Sequence, residues 1–231
     1  MAGNQGALIV GAGDGLSASL ARLFAREGWR VTLAARRIEK LAGLCQETGA
    51  VAHACDAAER DQVTALFKWL DKAFGAPQVV VYNPSFRTRG PLVELDAGDV
   101  ARSLAITAFG GFLVGQQAAR RMLKNGGGAI LFTGASASVK GYAGSAPFAM
   151  GKFALLGLAQ SMARELQPRN IHVAHFVIDG AIGNPGVPAP KGSEDSLLDP
   201  DAIAQSYLDV VRQHRSAWTW EVELRPWVET F

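Results

Sequence analysis

The 231-residue sequence holds only two cysteines, Cys45 and Cys55. They form no Cys-x-x-Cys pair and sit in no metal-spaced cluster, which argues against a disulfide scaffold and a structural zinc site. The four histidines, His53, His172, His175 and His214, show no ligand spacing. No lysine–arginine block or aromatic–basic stripe is present, and a formal charge of +2 gives no general attraction for polyanions, so nucleic-acid binding is not expected. No apolar run approaches the roughly 20 residues that span a bilayer. The opening MAGNQGALIVGAGDG lacks a basic segment followed by a long apolar core, unlike a signal peptide. A cytoplasmic protein is therefore expected, with no membrane association.

What is present is a regular alternation. The β-branched run GALIVGAG (6–13) reads as a buried strand, and the helical period after it places Leu16, Leu20, Leu23 and Phe24 on one face before Gly28. Strands are expected over 29–37, 50–56, 78–83, 129–134, 170–179 and 218–226. The helices expected between them cover 38–49, 59–74, roughly 96–124 and 147–166, and a last one begins at Asp199-Pro200. Seven strands interleaved with six helices predict an α/β fold: one Rossmann-type, doubly wound sheet of mainly parallel strands, covered on both faces. A single domain over 1–231 is expected. The Gly- and Pro-rich stretch beginning at Gly180 and reaching to about residue 198 reads as a flexible lid.

The first strand runs into Gly11-Ala12-Gly13-Asp14-Gly15-Leu16-Ser17. Glycines there let a backbone approach a pyrophosphate, and the N–H groups of the following helix favour an anion. A plain tight turn is the alternative. The second strand ends in Ala34-Ala35-Arg36-Arg37 with no carboxylate. An acidic residue at that point suits the ribose hydroxyls of NAD, whereas arginine suits the 2′-phosphate of NADP. NADPH is favoured on this ground. Against it, Asp14 brings a negative charge toward the same phosphate, and Arg36 and Arg37 equally suit a surface turn.

Together these segments resemble the short-chain dehydrogenase/reductase family over nearly the whole chain. Gly11-x-x-x-Gly15-Leu16 is similar to its glycine motif, with Ser17 where a third glycine is usual. Cys55-Asp56-Ala57 resembles the segment whose aspartate meets the adenine amine. Val81-Tyr82-Asn83-Pro84-Ser85 resembles the Asn-Asn-Ala-Gly motif and keeps its second asparagine. The resemblance implies a cofactor set of Gly11, Gly13, Asp14, Gly15, Leu16, Arg36, Arg37, Asp56, Asn83, Pro84, Lys152, Gly180 and Ile182. It also implies NADP as cofactor, a small carbonyl or alcohol as substrate, and a homo-dimer or homo-tetramer packed through the long helix and the Lys152-bearing helix.

The same resemblance implies a tyrosine that exchanges the substrate's proton, a lysine four residues later, a serine and an asparagine. Lys152 falls on the lysine, while Phe148 falls on the tyrosine, Ala135 on the serine and Thr107 on the asparagine. Phenylalanine has no proton to give. Ser136, beside the vacated serine position, and Tyr142 are the leading substitutes, with Ser138 and Thr133 further options. Asp179 stands where a proline is usual, as base, polar-substrate ligand or loop anchor. Arg87 and Arg89 read either as a greeting for an anionic substrate or as solvated loop charges. Two functions follow: an NADPH-dependent oxidoreductase with an atypical site, or a catalytically inactive nucleotide-binding sensor or assembly protein on the same fold.

Overall fold

A computed structural model of the chain describes residues 5–183 and 195–229. Strands β1 (Gly6–Val10), β2 (Arg30–Ala35), β3 (Val51–Ala54), β4 (Val79–Tyr82), β5 (Gly128–Thr133), β6 (Ile171–Ile178) and β9 (Glu221–Leu224) form one sheet in the order β3-β2-β1-β4-β5-β6-β9. Every pairing in it is parallel. The order reverses between β1 and β4, so their carboxyl ends open a crevice at a topological switch point.

Five of these strands, β1, β2, β4, β5 and β6, are buried along most of their length because both faces of the sheet are covered. Helices α1 (Leu16–Arg26) and α7 (Pro200–Val211) bury Leu20, Phe24, Ile203 and Tyr207 against one face. The other face receives α3 (Arg60–Ala73), α5 (Gly110–Met122) and α6 (Ala146–Leu166), with Leu66, Phe67, Val114 and Leu155 fully enclosed. The short α2 (Ala42–Thr48) follows a 3₁₀ turn at Ile38–Leu41. Helix α7 begins as its sequence dictates: Asp199 caps it by accepting from the Asp201 N–H, and Pro200 fills the first turn, where no N–H is needed.

The expected long helix over 96–124 is interrupted. Helix α4 (Ala97–Leu104) passes through a π-helical turn at Ala105–Phe109 into α5. The Tyr82 hydroxyl donates to the Ile106 carbonyl inside that turn, and so bonds one of its backbone acceptors from outside the helix. Taken whole, Ala97–Met122 is long and apolar enough by length and composition to cross a membrane, although its apolar residues form no continuous run of that length. In the fold α5 packs against α3, α6 and β4. Most of the expected lid, residues 184–194, lies outside the described residues. Its flanks pair as a small parallel ribbon, β7 (Ala181–Ile182) with β8 (Leu197–Leu198), which periodicity did not predict.

Gly110 sits where α5 crosses the sheet. A Cβ there would lie 2.7 Å from the Ala57 carbonyl oxygen and nearer still to the Tyr82 hydroxyl, and neither neighbour can swing away. Gly110→Ala is therefore expected to destabilise the protein by about 1–3 kcal/mol, the usual range for overpacking, as measured by urea denaturation. An unchanged midpoint would contradict this packing.

Candidate functional site

The crevice is floored by the loop after β1. Gly11 adopts φ +81°, and a Cβ on it would meet Pro84 at 2.7 Å, so both conformation and space require glycine. Side chains added at Gly13 or Gly15 would meet nothing within 4 Å. These two glycines therefore leave the loop backbone open to a ligand rather than making room for protein. Ser17 is turned inward, donating to the Gly11 carbonyl at 3.2 Å and accepting from the Asn83 amide at 2.7 Å. The loop is thus tied to the end of β4, a link that the sequence reading missed. Asp14 points outward and is exposed.

Two cavities adjoin this loop. The larger, about 720 Å³, brings Gly15, Leu16, Ser136, Tyr142, Lys152, Gly180 and Ile182 together above the ends of β5 and β6. The smaller, about 310 Å³, collects Gly11, Arg36, Asp56 and Pro84. Asn83 lines both. The larger cavity meets the glycine loop at Gly15 and Leu16, the smaller at Gly11 and Ala12. Arg37 lines neither and lies on the exposed turn before α2. Asp56 accepts from the Ala58 N–H at 3.0 Å, which fixes its carboxylate at the rim.

Lys152 is 2% exposed, and its ammonium donates to the Thr133 carbonyl at 2.7 Å. Burial, and secondly the positive charge of Arg87, push its pKa down to about 7. Phe148, one helical turn earlier, presents its ring to two cations: the Arg87 guanidinium 4.2 Å from the ring centroid and the Lys152 ammonium at 5.7 Å. Tyr142 is exposed at the cavity rim with Lys140 over its ring, and Ser136 is half-buried in the wall. Ser138 is fully buried, with its hydroxyl held between the Ala135 N–H and His175 Nε2 at 3.2 and 3.3 Å. It lines neither cavity. Thr133 likewise spends its hydroxyl on Tyr207 at 2.8 Å, although its backbone serves Lys152. Thr107 is buried in the π turn, with Phe86 N–H at 3.4 Å from its hydroxyl oxygen.

Asp179 is buried and ion-paired to Arg225 at 3.2 Å and Lys140 at 3.6 Å, the arrangement of a loop anchor. His172 stacks on Trp218, and His175 lies beside Ser138 and 3.7 Å from Glu221. Burial and the Lys152 charge push the His175 imidazole down to about 4. Among the described residues no group of three or more His, Cys, Asp or Glu side chains could hold a metal ion.

A model of the short chain dehydrogenase family matches residues 5–182. The chain belongs to that family. Sorbitol-6-phosphate 2-dehydrogenase of Escherichia coli is 28% identical over 218 residues, covering 90% of this chain and 84% of its own. The cyclic-di-GMP-binding biofilm dispersal mediator protein of the same organism is 34% identical over 201 residues, 85% and 81% of the two chains. Among solved structures, a short-chain dehydrogenase from Rhodopseudomonas palustris is 38% identical with a TM-score of 0.85, covering 97% of this chain and 99% of its own. A metagenomic short-chain oxidoreductase in complex with NADP is 26% identical with a TM-score of 0.84, covering 96% and 97%.

The buried lysine has a stability signature. Its ordinary pKa of 10.5 falls to about 7 in the folded protein, so between these values the unfolded chain binds more protons. The cost of burying Lys152 is complete below pH 7 and shrinks as pH rises, by about 1.4 kcal/mol per unit. Lys152→Met removes this dependence. Between pH 7 and 8.5 the stability difference between Lys152→Met and the parent is expected to narrow steadily in denaturant titrations. A difference independent of pH would refute the burial of a charged lysine.

Proposed function

We propose that the protein is an NADPH-preferring oxidoreductase of divergent type, acting on a small carbonyl or alcohol. The carrying observation is Lys152, a buried cation fixed at 2.7 Å to Thr133 in the cavity that the glycine loop opens into. A buried ammonium held by a backbone carbonyl is costly to fold and is well placed to hold ribose hydroxyls. The loop backbone at Gly11, Gly13, Gly15 and Leu16 would cradle the pyrophosphate. Arg36, with Arg37 beside it on the turn, would meet the 2′-phosphate, Asp56 and Pro84 would border the adenine, and Asn83, Gly180 and Ile182 would border the nicotinamide half. The NADP complex of the metagenomic relative supports the same cofactor. When bound, the nicotinamide supplies or accepts the hydride.

The chain's own residues must then manage the proton. Phe148 stands where the family's proton-donating tyrosine is expected, and it contributes only an apolar ring. Lys152, with its pKa near 7, is matched to proton exchange at neutral pH. The Ser136 hydroxyl and Tyr142 phenol, in the same cavity, are the groups assigned to carry that proton to the substrate oxygen. Phe109, Phe112, Met150 and Phe153 are exposed on the neighbouring helices α5 and α6 and in the π turn, and this apolar surface supports assembly as a homo-dimer or homo-tetramer.

A second reading, a nucleotide-binding sensor without catalysis, is favoured by Phe148 itself. The relative described as a cyclic-di-GMP-binding biofilm dispersal mediator gives it further support.

Calorimetric titration with NADPH and NADH addresses both readings. Binding of NADPH at least tenfold tighter than NADH is expected, with the preference lost in Arg36→Ala; no binding of either would overturn the oxidoreductase reading and a sensor of nicotinamide dinucleotides alike. Turnover of a carbonyl panel then separates them. Phe148→Tyr, which restores a phenol one turn before Lys152, is expected to raise kcat/KM by about 10²–10⁴, the usual contribution of a positioned acid. NADPH binding with no oxidation by any carbonyl, in parent and variant alike, leaves the sensor reading standing alone.

A further inference from the structure

A third cavity, about 320 Å³, lies against the larger one and shares Arg87, Ser136, Tyr142 and Phe148 with it. Arg87 and Arg89 both line it, and no acidic residue does. Among the described residues neither arginine makes an ion pair, whereas Arg22, Arg121, Arg212 and Arg225 all do. Burial, and secondly the charge of Arg89, lowers the pKa of Arg87; burial, and secondly the charge of Arg87, lowers that of Lys152. Three cations therefore converge on connected cavities without a neutralising partner. The Arg87 guanidinium is nonetheless held in place, 4.2 Å over the Phe148 ring, an arrangement that orients its N–H fork without consuming those donors. The first residues of the 21-residue helix α6 border the same space through Ser145, whose side chain does not cap the helix, so the positive end of the dipole adds to the field.

We propose that Arg87 and Arg89 form a subsite for an anionic group, phosphate or carboxylate, carried by the small-molecule substrate. Planar, bidentate donors suit either oxyanion. The substrate's anion would sit in the side cavity, with its reacting carbon in the larger one. The choice of phenylalanine at 148 has a second consequence on this account, since its ring serves as the platform for Arg87. The word substrate rests on the oxidoreductase reading; the anion subsite itself can be measured without turnover.

The test pairs charged and neutral carbonyls: glyceraldehyde 3-phosphate with glyceraldehyde, and levulinate with 2-pentanone. Calorimetry is expected to show at least tenfold tighter binding for one or both charged members. Arg87→Gln and Arg89→Gln are each expected to erase most of that preference, and Arg89→Gln, at a residue that lines the side cavity and not the larger one, to leave NADPH affinity unchanged. The pair that shows the preference identifies phosphate or carboxylate as the recognised group. Equal binding within both pairs would overturn the proposal, as would a preference that survives in both variants, which would place the anion on the glycine loop instead. Oxidation of NADPH by neutral and charged partners at equal kcat/KM would remove the subsite and leave the oxidoreductase reading intact. An arginine-dependent anion preference in a protein that binds no NADPH would do the reverse.

Discussion

The bond from the Lys152 ammonium to the Thr133 carbonyl, 2.7 Å long and closed to solvent, is the constraint on which the rest of the site depends. It ties the end of β5 to the first turns of α6, and Thr133, Phe148 and Lys152 from those two elements form part of the wall of the principal cavity. A lysine is tolerated there only because a backbone acceptor meets it and the neighbouring phenylalanine ring offers its face. The energetic strain of such a placement is typical of a functional position rather than a structural one.

The electrostatics follow from that placement. Lys152, Arg87 and Arg89 lie near one another, and the two carboxylates closest to the principal cavity differ in role. Asp179 is neutralised by Arg225 and Lys140, while Glu229 lies exposed at the rim. His175, buried beside Ser138, is held neutral by desolvation and by the lysine's charge. The interior of the site is thus positive on the side of β4 and α6, and nearly neutral around the end of β6. A cofactor that brings phosphates and a substrate that brings an oxyanion would both find favourable potential in the crevice.

Much of this was legible in the chain. The apolar runs of β1, β4 and β5 can be stable only in a sheet covered on both sides, and the 3.6-residue periods between the strands supply the cover. Gly11, Gly13 and Gly15 advertise a backbone that must be approached closely. The boundaries were less clear: the π turn at Ala105–Phe109 depends on a hydroxyl from Tyr82, 24 residues away in the chain, and no local pattern announces it. The pairing of β7 with β8 was equally hidden, since two-residue strands have no period.

Sequence alone determined the doubly wound architecture, the glycine loop and the Phe148–Lys152 pair, because each is written in residue type and local spacing. Tertiary structure alone decided which polar groups remain available to a ligand. Ser138 and Thr133 are further options beside Ser136 in the sequence, yet their hydroxyls are committed to His175 and Tyr207. Arg87 and Arg89 read in the sequence either as a greeting for an anionic substrate or as loop charges, and in the structure they share a cavity with the ring at 148. Hydrogen-bond capacity and charge neutralisation are settled by neighbours brought together from distant parts of the chain, and a linear pattern does not record them.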